Sequence, residues 1–185
     1  MVAHLGGGIT VAAVRGGRMV DATIALLGDG PFTPRRTGQL PQEGLIGLCY
    51  SGRFTREEMV DELTRRGGLD SYLGEHRLEV IERRIAEGDA KARRVVEAMV
   101  YQIAKDIGAM HVVVGCAADA IVLTGGMARS TLVVDDLRRR LDRLAPVMVF
   151  PGSLEMEALA AGAVDALSGR VKAMRYRLPE RLGAG

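Results

Sequence analysis

The 185-residue sequence contains no tryptophan, and all its aromatic residues together make up 4%. Single-stranded nucleic acid is gripped by rows of aromatic faces, and this chain has little to form them with. Cysteine is equally scarce: Cys49 and Cys116 are the only two, and they stand far apart. Neither metal-ligand spacing nor a disulfide framework is present, so reduced, unpaired thiols and a cytoplasmic location are expected. No charge of one sign dominates, since 25 basic against 23 acidic residues leave a net charge of +2. That balance implies neither a nucleic-acid partner nor a membrane surface. The apolar runs fall well short of the roughly 20 residues a bilayer-crossing helix needs, and the opening residues carry no signal-peptide pattern.

What is present is an ordinary globular composition, 48% hydrophobic and 26% charged. The length suits one well-packed domain with room for an added lobe. The clearest stretch is Asp119-Ala120-Ile121-Val122-Leu123-Thr124-Gly125-Gly126. Its apolar run, cut off by two glycines, reads as a buried parallel strand. Ligands in open α/β sheets bind beyond the carboxyl ends of such strands, and paired glycines let a backbone approach a ligand closely. A tight turn that happens to be Gly-Gly explains the same residues, and the pattern is neither a P-loop nor a dinucleotide fingerprint.

Along the chain, residues 1–5, 9–15 and 18–24 read as three strands separated by Gly6-Gly7-Gly8 and Gly16-Gly17, an antiparallel meander. A sheet strand at the very first residue raises the expectation that something precedes it. Residues 27–44 are rich in Gly, Pro and Arg, and Phe32 and Leu40 point to an anchored, ordered loop. A helical insertion follows over about 44–88. It holds a short helix at 44–51, a capping box at Thr55 and Glu58 opening a helix that stops at Gly67-Gly68, and a helix over 75–87 with Leu78, Ile81 and Ile85 on one face. It is expected to cover a sheet edge and shows no chemistry of its own.

Asp89 caps a long helix reaching about residue 114, with Val95, Met99, Ile103, Ile107 and Met110 as its apolar stripe and His111 as a partly buried structural histidine. Then come the strand at 119–124, a helix over 130–144, a strand over 146–150 and an alanine-rich helix over 154–167. Arg138-Arg139-Arg140 reads as a solvated face near a helix C-terminus. Residues 171–185 form a basic tail. The predicted fold class is therefore α/β, ribonuclease-H-like: a three-strand antiparallel meander, then helix-strand-helix-strand-helix, with a small helical insertion. That arrangement hosts many activities. A nuclease would need clustered carboxylates at the strand ends to hold two metals, and the first three strands offer only Asp21.

His4-Leu5-Gly6-Gly7-Gly8-Ile9-Thr10 resembles the phosphate-binding turn of the acetokinase family, in the triple-glycine form of butyrate kinases. Residues 30–38, 101–109, 119–126 and 156–160 are also similar to butyrate kinase segments, in the same order, so the resemblance runs to about residue 170. It implies a second, C-terminal domain (1–170) of the acetate and sugar kinase, heat-shock chaperone and actin superfamily. Such kinases transfer the γ-phosphoryl of ATP, with magnesium, to a short carboxylate and release an acyl phosphate. Matched residue by residue, Arg36 falls on the arginine that stabilises the transferring phosphoryl. His4 falls on the histidine that hydrogen-bonds it, and Gly6, Gly7 and Gly8 on the turn beside the ATP phosphates. Gly125 and Gly126 match the loop contacting adenosine, and Glu157 matches the carboxylate near magnesium. The resemblance further implies a homodimer and a first domain, with the rest of the acyl pocket, that this chain does not contain. An acyl kinase that needs that half is one expectation. A non-catalytic nucleotide-binding or dimerisation module is the other.

Overall fold

The computed structural model describes residues 1–153 and 155–174. The expected helix start at Leu154 and the tail from residue 175 lie outside the described residues. The chain divides into two units, Met1–Gly152 and one beginning at Ser153.

The first unit is built on a five-stranded sheet of β1 (Val2–Leu5), β2 (Ile9–Arg15), β3 (Arg18–Ala22), β4 (Ile121–Gly125) and β5 (Val147–Pro151), in the order β3-β2-β1-β4-β5. β1, β2 and β3 pair antiparallel, and β4 then runs parallel to both β1 and β5. This is the expected ribonuclease-H-like arrangement. β3 ends two residues earlier than the sequence reading placed it. The Val11 N–H donates to the Thr23 hydroxyl at 3.0 Å instead of to a backbone carbonyl, so the ladder stops there. The chain then turns, and the Ile24 N–H donates to Asp29 Oδ1 at 3.0 Å.

Successive side chains of a strand point to opposite faces. Ala3, Leu5, Ile9, Val11, Ala13, Ile121 and Leu123 accordingly share one face, and all are 0% exposed. Against them lies α5 (Ala90–Val113), a 24-residue helix that packs on β2, β3 and α6 (Thr131–Leu141). Its buried line is Val96, Met99, Val100, Ile103, Ile107 and Met110, with Val95 only half-buried at the rim. Full burial of one such side chain is worth about 1.5–3 kcal/mol, so this stripe is what fixes α5 on the sheet. Asp89 caps α5 by accepting the Ala92 N–H at 2.9 Å. That bond, followed by the Arg84 guanidinium, holds its carboxyl below the usual range.

The insertion contains α1 (Gln42–Cys49), α2 (Arg56–Arg65), α3 (Gly68–Leu73) and α4 (Leu78–Ala86). The Thr55–Glu58 capping box forms as predicted, and Leu78, Ile81 and Ile85 are buried together. One expectation is corrected: α3 and α4 pack on α5, not over a sheet edge. α2 stops just before Gly67-Gly68 as expected, and α3 starts directly at Gly68. Ser130 caps α6, which ends at Leu141. Arg139 and Arg140 both pair with the buried Asp136, at 2.9 and 3.1 Å, while Arg138 reaches Asp135 at 3.9 Å. His111 is 7% exposed, more deeply buried than expected. In the second unit, α7 (Glu155–Leu167) has no buried residue, and Arg170 pairs with Asp165 at 3.2 Å. No described helix is long and apolar enough to cross a membrane.

Ile103 lies midway along α5 with no exposed surface. Ile103→Ala is expected to lower unfolding free energy by about 2–5 kcal/mol with an unchanged denaturant slope, read from urea melts.

Candidate functional site

β1 and β4 run parallel, so His4 and Leu5 finish beside Thr124 and Gly125 at the same edge of the sheet. Three glycines turn β1 into β2, and the Gly6 N–H closes the turn on the Gly8 carbonyl at 3.1 Å. Two of them lie close against side chains of the site. A Cβ on Gly6 would fall 2.9 Å from His4 Nε2, and one on Gly8 would collide with the Arg36 guanidinium unless it moved. Gly125 is enforced by backbone: its φ is +93°, and a Cβ there would sit 2.5 Å from the Leu5 carbonyl oxygen. Gly7 and Gly126 are different, because a Cβ on either would meet nothing within 4 Å. Their backbones are exposed.

Arg36 reaches the turn from the long loop that follows β3. Thr33, 1% exposed, organises that loop. Its hydroxyl donates to the Gly7 carbonyl at 2.9 Å and accepts the Arg36 N–H at 3.0 Å, and its own N–H donates to the Arg36 carbonyl at 3.0 Å. Phe32 is buried as the sequence reading anticipated. Its N–H donates to Gln102 Oε1 at 3.0 Å, and its ring stands edge-on to Tyr72 with centroids 5.7 Å apart. The two neighbouring arginines separate cleanly. Arg35 turns away and donates through Nε to the Arg65 carbonyl at 3.0 Å, whereas Arg36 lies against Gly8 and donates through Nη1 to the Ala25 carbonyl at 3.0 Å.

The insertion, in which the sequence reading found no chemistry, holds this loop in place. The Gly67, Leu69 and Asp70 N–H groups donate to the carbonyls of Arg35, Thr33 and Pro34 at 3.0, 3.1 and 3.0 Å, and the Thr37 N–H donates to the Leu63 carbonyl at 3.0 Å. Gly68 has φ +62°, and a Cβ on it would strike the Thr33 carbonyl. The available signal was the Gly67-Gly68 pair itself, which reads equally well as a helix stop.

Beneath the loop, Asp106 on α5 lines a small cleft with Gly30, Pro31, Gln39, Gln102 and Lys105. One of its carboxylate oxygens is buried without a partner. Burial, and secondarily the charge of Asp29, pushes this carboxyl up.

Of the residues singled out from sequence, the fold thus gathers His4, Gly6, Gly7, Gly8, Arg36, Gly125 and Gly126 at the carboxyl ends of β1 and β4. Glu157 belongs to the other unit, in the exposed first turn of α7. No group of three or more potential metal-binding side chains forms among the described residues. The arrangement is that of an anion site, with a guanidinium and an imidazole flanking a turn whose backbone is bare.

Residues 1–148 match the acetokinase family. The chain belongs to that family. It is 44% identical over 177 residues to a probable butyrate kinase of Bacteroides thetaiotaomicron, covering 96% of this chain and 50% of the relative. To a probable butyrate kinase of Listeria monocytogenes serotype 4a it is 44% identical over 176 residues, covering 95% and 50%. The chain thus spans about half the length of the curated relatives it matches. Among solved structures, Porphyromonas gingivalis acetate kinase superimposes with a TM-score of 0.80 at 20% identity, covering 90% of this chain and 48% of that one. A propionate kinase from Francisella tularensis gives 0.74 at 21%, covering 84% and 46%. At that identity the likeness establishes the fold, which is the actin-like form of the ribonuclease-H arrangement.

Two stability outcomes follow from this geometry. Gly68→Ala forces a Cβ onto the Thr33 carbonyl at positive φ, and should lower unfolding free energy by on the order of 2 kcal/mol or more in denaturant melts. Asp106 binds its proton more tightly in the folded chain than in the unfolded one, so its contribution falls as pH rises through and above the ordinary carboxylate range. Asp106→Asn is expected to raise the melting temperature at pH 7, with the gain fading as pH is lowered to about 4.

Proposed function

We propose that this chain is the phosphoryl- and nucleotide-binding half of an ATP-dependent kinase that converts a short aliphatic carboxylate, butyrate or a close relative, into an acyl phosphate. The observation that carries the reading is the Arg36 guanidinium lying on the glycine turn, where residue 8 has no side chain. Support for the substrate class comes from the acetokinase match and from the butyrate kinase names of the relatives.

Phosphoryl transfer asks a protein mainly for positioning and charge stabilisation. A carboxylate oxygen forms the new bond to the γ-phosphorus as the bond to the ADP oxygen breaks, and no proton need be removed because the carboxylate is already ionised. Arg36 offers a planar fork of N–H donors that cannot lose its charge, aimed at the equatorial oxygens. His4, beside Gly6, donates to the same group. The bare backbone of Gly7 faces the phosphates, and that of Gly125-Gly126 faces the adenosine. Magnesium neutralises phosphate charge when bound, and Glu157 is the carboxylate assigned to it. The carboxylate's alkyl chain is left to residues outside this chain, and a homodimer is the proposed assembly.

The second reading is a nucleotide-binding or dimerisation module without catalysis. Incubation of the purified chain with ATP, magnesium, butyrate and hydroxylamine separates the two. Butyryl hydroxamate formed by the chain, and reduced roughly 100-fold or more in Arg36→Ala, is the kinase outcome. ATP binding without hydroxamate supports the module.

A further inference from the structure

The insertion touches the site at two places, the Arg36 loop and the turn beyond β4. α4 is fixed on α5 by Leu78, Ile81 and Ile85. The residue after Ile81, Glu82, leaves this apolar face and reaches Ser130, whose hydroxyl donates to Glu82 Oε1. Ser130 is 8% exposed and also accepts the Val133 N–H at 3.1 Å, capping α6. Immediately before it, Gly126–Arg129 form a single 3-10 turn that continues Gly125. The Glu82 carboxylate therefore fixes the far end of the turn whose near end is the Gly125-Gly126 backbone.

The same block of helices leads back to the arginine loop. Arg84, two residues further along α4, donates through Nη1 to the Leu73 carbonyl at the end of α3 and grips Asp89 at 2.8 Å. The start of α3 carries the N–H groups of Leu69 and Asp70 that hold the Thr33 and Pro34 carbonyls. A continuous run of hydrogen bonds and short helices thus connects the Arg36 loop, through α3, Arg84, α4 and Glu82, to Ser130 and the turn beyond β4.

We propose that Glu82 is a positioning residue for nucleotide binding: through Ser130 it holds the Gly125–Arg129 turn in register with the Arg36 loop. α3 and α4 thereby act as a clamp on both sides of the site. The inference rests on the assignment of Gly125 and Gly126 to the nucleotide. A carboxylate accepting from a hydroxyl is a charge-assisted bond, stronger than its neutral counterpart, and a contiguous network of packed helices is the kind of element that transmits such a constraint.

The test is calorimetric titration of ADP with magnesium into the full chain, Glu82→Ala and Glu82→Gln, together with hydrogen exchange on peptides covering residues 33–39 and 126–133. In the unaltered chain, ADP is expected to slow exchange in both peptides. Glu82→Ala should weaken ADP about tenfold and speed exchange in both peptides, while Glu82→Gln, which keeps an acceptor for Ser130, should stay within about twofold of the parent. Unchanged ADP affinity in Glu82→Ala, even with a lowered melting temperature, leaves Glu82 merely structural and overturns the proposal. So does ADP protection confined to residues 126–133 of the unaltered chain, a measurement that needs no variant to fold. An unaltered chain that binds no ADP overturns the nucleotide assignment itself, and the positioning role falls with it.

Discussion

A hydroxyl has one proton to donate and two lone pairs to accept with, and Thr33 uses all three. It donates to the Gly7 carbonyl and accepts the N–H groups of Arg35 and Arg36, at 2.9, 3.3 and 3.0 Å. Through that one buried group the glycine turn and the arginine loop become a single object. Without it the N–H groups of Arg35 and Arg36 would both lose their partner, and a buried polar group left unsatisfied costs on the order of 1–3 kcal/mol. The position of the Arg36 guanidinium over Gly8 is thus a consequence of backbone hydrogen bonding. The arginine need not find the turn by its own flexible side chain, because the loop delivers it.

The same logic explains why a helical insertion belongs beside a sheet whose apolar face is already covered by α5 and α6. The loop has no regular structure of its own, so its carbonyls need donors from elsewhere. The α2–α3 junction supplies them, and it does so only because Gly67 and Gly68 allow two backbones to meet. The left-handed backbone of Gly68 and burial of Leu69, Ile81 and Ile85 work as a pair: the apolar contacts on α5 hold the junction against the loop, and the positive φ aims its N–H groups.

How much of this could be read from sequence follows from the range of each interaction. The meander was legible because glycine turns and β-rich runs are local signals, and the sheet order followed from chain connectivity. α5 was legible because its stripe repeats over 24 residues. The end of β3 was not, since it depends on one threonine hydroxyl substituting for a carbonyl. The choice between Arg35 and Arg36 was open to local reading as well: two adjacent arginines in a loop look alike until the Arg65 carbonyl captures the first. The Glu82–Ser130 contact spans 48 residues of chain and has no periodicity to announce it. The family resemblance carried the site residues where local pattern did not, and it was silent on the insertion because no residue there matches a quoted motif.

The glycines of the site differ in how tightly the folded chain surrounds them. Gly125 is crowded by the Leu5 backbone at positive φ, so the folded chain by itself excludes a side chain there, whereas a Cβ on Gly6 or Gly8 would meet the movable ends of the His4 and Arg36 side chains. Gly7 and Gly126 are uncrowded, and neither has the positive φ that would demand glycine. Glycine in a loop carries a conformational-entropy cost on folding that alanine would reduce. Gly7 lies between the His4 and Arg36 side chains, and Gly126 opens the turn that Ser130 and Glu82 secure. Both residues present exposed backbone at the carboxyl ends of β1 and β4, the place to which the proposed kinase reading assigns its nucleotide.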